Sequence, residues 1–271
     1  MPKLVLAAAD GARAEVYLHG AHVTSWVPAG EVADRLFVSG SAEFSSSAAI
    51  RGGVPVIFPQ FNVEGPLPKH GFARTQTWDF AGTTADPSGA ASAVLRLTGS
   101  EATRAIWPHQ FAADLTVAVG GPKIAMTLNI RNTGVSPFSF TAALHTYLRI
   151  NDLRRIAVHG LQNLRFRDSA SGGVAGVQAE PALAIEGEVD RIYFDAPAKI
   201  EVREAGRSTR VESVGFPDVV VWNPGATRGA TISDLEPGGY ARMLCVEAAA
   251  IGTPVRLDPG DHWRGSQTLI A

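Results

Sequence analysis

Short runs in which apolar and polar residues alternate with a period of two recur along the whole 271-residue chain. Arg13–Leu18, Ala93–Leu97, Ala113–Val119, Ile124–Ile130, Lys199–Arg203, Thr209–Ser213 and Gly265–Ile270 all follow this rule. Successive side chains of an extended backbone point to opposite faces, so each run presents one apolar face and reads as a half-buried strand. Turn-forming triplets punctuate them: Gly120-Gly121-Pro122, Asn132-Thr133-Gly134 and Asp258-Pro259-Gly260. No stretch of a dozen residues keeps a helical stripe, and Ser41–Ala49 is the one place for a short helix. Many short strands at roughly 8–12-residue spacing predict an all-β sandwich rather than a βαβ fold. No low-complexity linker or fixed repeat divides the chain, so residues 1–271 are expected to form one domain. Within it, the Gly/Ala/Ser-rich stretch 169–178 is expected to be a surface loop.

Composition narrows the function classes. Hydrophobic residues make up 45% of the chain and charged ones 18%, enough apolar mass for a sizeable core. The formal charge of −2 carries no basic excess, so nucleic acid is not an expected partner, and an anionic ligand must be held by a few placed residues. The single cysteine, Cys245, rules out an intrachain disulfide, and a cysteine-based zinc site is not expected. The apolar run Leu4–Ala9 is cut by Asp10 and is too short for a signal-peptide core. No run approaches the ~20 apolar residues of a membrane helix. A cytoplasmic protein without a membrane partner is the expectation, either monomeric or a weak homodimer.

Four segments depart from plain strand and turn. Arg51-Gly-Gly-Val-Pro-Val-Ile-Phe-Pro59 is followed by Lys69-His-Gly-Phe-Ala-Arg74. Ordering so long a Pro- and Gly-rich loop is entropically costly unless something uses it. Paired glycines allow close backbone approach, and the planar guanidinium suits phosphate or carboxylate. Arg51 and Arg74 are therefore either anion clamps or halves of internal salt bridges. In Leu144-His-Thr-Tyr-Leu-Arg-Ile150, His145 interrupts apolar neighbours as a core histidine or as a proton carrier near neutral pH. Asp190, in Val189-Asp-Arg-Ile-Tyr193, is a site acid or a turn residue. Glu247 stands in the apolar strand Met243-Leu-Cys-Val-Glu-Ala248. Facing inward it would gain proton affinity and serve as a general base; facing outward it would be ordinary alternation. His19 and His22, three apart across Gly20, show no third ligand nearby, so no metal is expected there.

In register, these segments resemble the aldose 1-epimerase superfamily, and within it the hexose-6-phosphate mutarotase branch. The resemblance rests on R-G-G-V-P-V-I-F-P (51–59), H-G-F-A-R (70–74), L-H-T-Y-L-R-I (144–150), D-R-I-Y (190–193), V-V-W-N-P (220–224) and L-C-V-E-A (244–248). It implies a galactose-mutarotase-like β-supersandwich with the sugar in a cleft on one sheet face. It also implies anomer interconversion of a sugar phosphate without a cofactor. The family's two histidines fall on His70 and His145, its acid on Asp190 and its catalytic glutamate on Glu247. Arg51 and Arg74 match the branch's phosphate-binding positions. The R-G-G-V-P loop favours a phosphorylated substrate over a free aldose, the rival reading, and the four site residues argue against a non-catalytic sugar-binding sandwich. Two departures from the family pattern, Gln60-Phe-Asn62 and Gly225 after Trp222-Asn-Pro, are expected beside the cleft.

Overall fold

The computed structural model describes residues 1–84 and 89–271. All seven alternating runs lie in strands to within one residue, and every strand pair is antiparallel. Two large sheets form the body. A nine-stranded sheet runs Ala182–Leu183, Ala157–His159, Lys199–Glu204, Arg207–Val214, His262–Ile270, Lys123–Asn132, Phe111–Gly120, Ala91–Thr98, Asp79–Gly82. An eight-stranded sheet centres on the 15-residue strand Met243–Leu257, flanked by Asp218–Asn223 on one side and Phe138–Leu144 on the other. A separate three-stranded sheet, Lys3–Ala7, Arg13–Tyr17 and His22–Val27, packs into the same core. This is the all-β antiparallel architecture expected from the alternation.

Period-two geometry divides the central strands between two environments. Leu244, Val246 and Ala248 join the main core with Leu115, Met126 and Leu269 of the opposite sheet. Cys245, Glu247 and Ala249 point to the other face, where Cys245 and Ala249 belong to two smaller apolar clusters. The adjoining strands split the same way: Val219 and Val221 face the main core, while Val220 and Trp222 face the second side. Burying that second side requires a cover; the Arg51–Arg74 segment supplies the part over Val220 and Ala249 through Phe61, and Phe37 and Leu235 close the part around Cys245.

Close packing fixes this cover. Val54 N donates to Val23 O at 2.8 Å, Gly53 N to Phe37 O at 2.7 Å, and Tyr147 N to Gly53 O at 2.9 Å. His19 Nε2 lies 2.8 Å from Ala48 O and His22 Nε2 2.7 Å from Gly52 O, so this pair anchors the loop. Both glycines of the R-G-G run have left-handed backbone, with φ of +111° at Gly52 and +60° at Gly53. A β-carbon on Gly53 would sit 2.2 Å from Val23 O, and one on Gly52 2.3 Å from Phe37 O. Only glycine fits at either place.

Two expectations need correction. Ser41–Ala49 forms turns rather than a helix, and short helices appear instead at Glu101–Ile106 and Gly225–Gly229. Ser100 caps the former through Thr103 N, a local signal that a search for long apolar stripes passes over. The stretch 169–178 is not simply a loop. It turns through Ser169–Ser171 and returns as the strand Val174–Val177, pairing with Arg165–Asp168. Its small residues suit an exposed edge hairpin as well as a loop. Among the described residues no helix is long and apolar enough to cross a membrane.

Gly53→Ala should lower the unfolding free energy by at least about 2 kcal/mol, from left-handed strain plus backbone overlap. Denaturant unfolding measures this, and an unchanged midpoint would show that the loop is not packed against Val23.

Candidate active site

One cleft of about 420 Å³ collects all six residues singled out from the sequence: Arg51, His70, Arg74, His145, Asp190 and Glu247. That volume lies within the ~300–1,000 Å³ usual for small-molecule clefts. Register explains the assembly. Glu247 pairs with Val220, and two residues along the same strand Cys245 pairs with Trp222, which pairs in turn with Asp190, so two neighbouring rows on one sheet face carry Glu247, Trp222 and Asp190. His145 follows the strand Phe138–Leu144 directly. Its N–H donates to Pro55 O at 3.0 Å, and the next residue's carbonyl accepts from Val246 N at 3.0 Å.

Glu247 is the deepest polar member at 1% exposed, followed by His145 and His70 at 8% each. His145 Nδ1 lies 3.3 Å from Glu247 Oε1. Neither His145 Nδ1 nor Glu247 Oε2 has a hydrogen-bond partner among the described residues. The imidazole stacks on Tyr147, with centroids 4.9 Å apart and planes 11° apart, and meets Trp222 edge-on at 5.8 Å. Burial raises the proton affinity of Glu247, and nearby Asp190 adds to the effect. Burial lowers that of His145, with His70, Arg74 and Arg51 contributing. The question left open by alternation is answered: Glu247 faces away from the main core and is nevertheless buried.

His70 has φ of +66°. Its Nδ1 accepts from Asn62 N at 3.2 Å, which leaves Nε2 as the protonated nitrogen of a neutral ring. Burial and the charges of Arg74, Lys69 and Arg51 keep the ring neutral. Asp190 is half-buried, and burial raises its proton affinity.

Cations gather in the same cleft. Arg51 donates through Nε to Asp234 at 3.0 Å and through Nη1 to Tyr147 Oη at 3.0 Å. The loop-tying salt bridge, posed as an alternative to an anion clamp, is thus present, yet Arg51 still lines the cleft. Arg74 donates to Lys69 O at 3.1 Å. Among the described residues neither Arg74 nor Lys69 has a carboxylate within 4 Å, whereas Arg228 is paired with Glu188 at 2.7 Å. Arg51, Lys69 and Arg74, with the paired Arg228 as a fourth cation, therefore share the cleft with two nearby acids, Asp234 beside Arg51 and Asp190 near Lys69.

Several residues in the cleft wall or just behind it escaped the sequence reading. Lys69 and Trp222 stood inside the quoted motifs without a role. Tyr147 is two residues from His145 in a strand-like run, so shared facing was a usable signal. Arg228 and Asp234 carried none, because only the fold brings them in. Phe61 and Asn62 line the cleft, while Gln60 braces their loop through bonds to Asn62 O and Leu67 O at 3.1 and 3.0 Å. Gly225, with φ of +61°, opens the short helix that carries Arg228; a β-carbon there would meet Glu188 N at 2.7 Å. Among the described residues one group of potential metal donors is present, His145, Cys245 and Glu247, with one ligand atom of each within 4.8 Å of the other two.

Known proteins resemble this chain over nearly its whole length. A protein from Cenchrus ciliaris named "Putative glucose-6-phosphate 1-epimerase" is 38% identical, over 100% of this chain and 85% of its own. The crystal structure of a "putative mutarotase" from Salmonella typhimurium superposes with a TM-score of 0.88 at 31% identity, covering 96% of this chain and 86% of that one. A galactose mutarotase related enzyme from Lactobacillus acidophilus shares the fold, with a TM-score of 0.77 at 13% identity over 99% and 97% of the two chains. The family profile described as "Aldose 1-epimerase" matches residues 2–269, and the chain belongs to that family.

Proposed function

We propose that this enzyme interconverts the α and β anomers of a hexose 6-phosphate. The observation that carries the phosphate is the surplus of positive charge formed by Arg51, Lys69 and Arg74 in one cleft. The names of the relatives, glucose-6-phosphate 1-epimerase and mutarotase, point the same way. The reading takes residues 1–271 as one functional unit, which the match over 2–269 and the core shared by the sheets support.

Anomer exchange moves protons only. The C1 hydroxyl must lose a proton while the ring oxygen gains one; the ring opens, the C1–C2 bond rotates, and closure on the other face reverses both transfers. An acid and a base at the two oxygens of one hemiacetal suffice, each contributing on the order of 10²–10⁴-fold. Glu247, with its raised proton affinity, serves as base at the C1 hydroxyl, and His145 as acid at the ring oxygen. His70 offers its Nε2–H to the reacting oxygens, and Asp190 accepts from sugar hydroxyls. Trp222 and Tyr147 hold the His145 ring in place.

Phosphate binding also tunes this chemistry. Arg51 and Arg74 are among the charges that depress protonation of His145. A phosphate dianion between them offsets that charge, so the imidazole holds a proton more readily once substrate is bound.

Two outcomes are expected. Arg74→Ala should lose charge-assisted bonds worth roughly 1.5–3 kcal/mol, a ~10–150-fold drop in kcat/KM for glucose 6-phosphate with little change on glucose. Exchange NMR on both sugars reads this, and equal losses would refute the phosphate clamp. Glu247→Gln should stabilise the fold at neutral pH. The unfolded chain releases this proton near pH ~4.3 and the folded chain only at higher pH, so wild-type stability falls through that window. The gain should vanish below pH ~4; a gain independent of pH in chemical denaturation would contradict a raised Glu247.

A further inference from the structure

Beneath the floor of the cleft lies a group that anomer exchange does not use. Cys245 precedes Glu247 by two residues on Met243–Leu257, so both side chains leave the same face. It is fully buried beside Tyr147 and Met243, and its register partners are Tyr147 and Trp222. One ligand atom each from Cys245, Glu247 and His145 lies within 4.8 Å of the other two. Among the described residues His145 Nδ1 and Glu247 Oε2 have no hydrogen-bond partner, and both side chains belong to residues more than nine-tenths buried. Buried polar atoms are ordinarily satisfied, so two orphans on residues grouped with a thiol call for an explanation.

We propose that Cys245, Glu247 and His145 form a site for a thiophilic divalent cation, with Zn²⁺ the best match, whose binding silences the enzyme. One thiolate, one carboxylate and one neutral imidazole make a zinc donor set, whereas Mg²⁺ and Ca²⁺ require six or more oxygens. Bond lengths of ~2.0–2.3 Å place tetrahedral donors about 3.3–3.6 Å apart, so the three side chains need close by only about 1 Å. The fourth position is left to water, because His145 and Glu247 also line the cleft. Charge balances as well. Binding releases the thiol proton, and the two anionic donors, thiolate and carboxylate, match the charge of the dication. The sequence expectation that a lone cysteine excludes zinc considered cysteines alone; the fold adds the imidazole and the carboxylate.

A bound metal occupies the carboxylate and the imidazole nitrogen that face each other, which removes the acid–base pair. This loss of turnover rests on the proposed function; the binding does not. Co²⁺ is the probe for the site itself, because a thiolate ligand gives a near-ultraviolet charge-transfer band and tetrahedral geometry gives intense visible bands. The wild-type protein should bind one Co²⁺ with both signatures, and saturating Zn²⁺ should cut anomer exchange more than tenfold. Cys245→Ala should keep its basal exchange, lack the thiolate band and resist Zn²⁺. Cys245→Ser provides a second fold-preserving variant with the same expected result. Absence of the band in wild type, or Zn²⁺ inhibition of equal strength in the variants, would overturn the site. The expected bands on a wild-type protein that exchanges no anomers would leave the site standing and refute the functional reading instead.

Discussion

The structure depends on one strand serving two environments. Met243–Leu257 contributes Leu244, Val246 and Ala248 to the main core and turns Cys245 and Glu247 to the opposite face. A carboxylate on an exposed sheet face would be an ordinary solvated side chain. Here the Arg51–Arg74 segment covers that face and leaves Glu247 1% exposed. Desolvation then shifts its proton affinity towards the range in which a carboxylate can work as a base at neutral pH. The left-handed glycines at 52 and 53 let the cover lie this close. Backbone conformation in one loop thus sets the chemistry of a side chain nearly two hundred positions away.

Charge organises the rest of the cleft. Burial drives the His145 and Glu247 pair towards its neutral form, while Arg51, Lys69 and Arg74 bring positive charge that Asp234 and Asp190 offset only in part. Such an arrangement is poorly satisfied when empty. Under the proposed function a sugar phosphate resolves both tensions: its dianion meets the cations, and its two hemiacetal oxygens meet the imidazole and the carboxylate. Binding energy gained at the phosphate end holds the reacting end in place, which is how a remote group aids a proton transfer it never touches.

Much of this was legible before any coordinates. Alternation with a period of two located the strands because half-buried sheets impose it directly, as in Ile124–Ile130. All six site residues from the motifs reached one cleft, because the resemblance supplied the long-range pairing that local patterns lack. The facing of Glu247 was not legible. Its neighbours are apolar on both sides, and only the cover distinguishes a cleft from solvent. Asp234 and Arg228 gave no signal, since their roles come from contacts to Arg51 and Glu188 across the fold. The hairpin within 169–178 looked like a loop because its small residues satisfy edge-strand and turn requirements equally.

The central claim is that an imidazole and a carboxylate 3.3 Å apart move the two protons of one hemiacetal. Saturation-transfer NMR between the anomers of glucose 6-phosphate, with wild-type and Glu247→Gln proteins at equal folded concentration, tests it most directly. The account predicts that exchange by the variant falls on the order of 10²–10⁴-fold while the sugar phosphate still binds. Exchange close to the wild-type rate would contradict it.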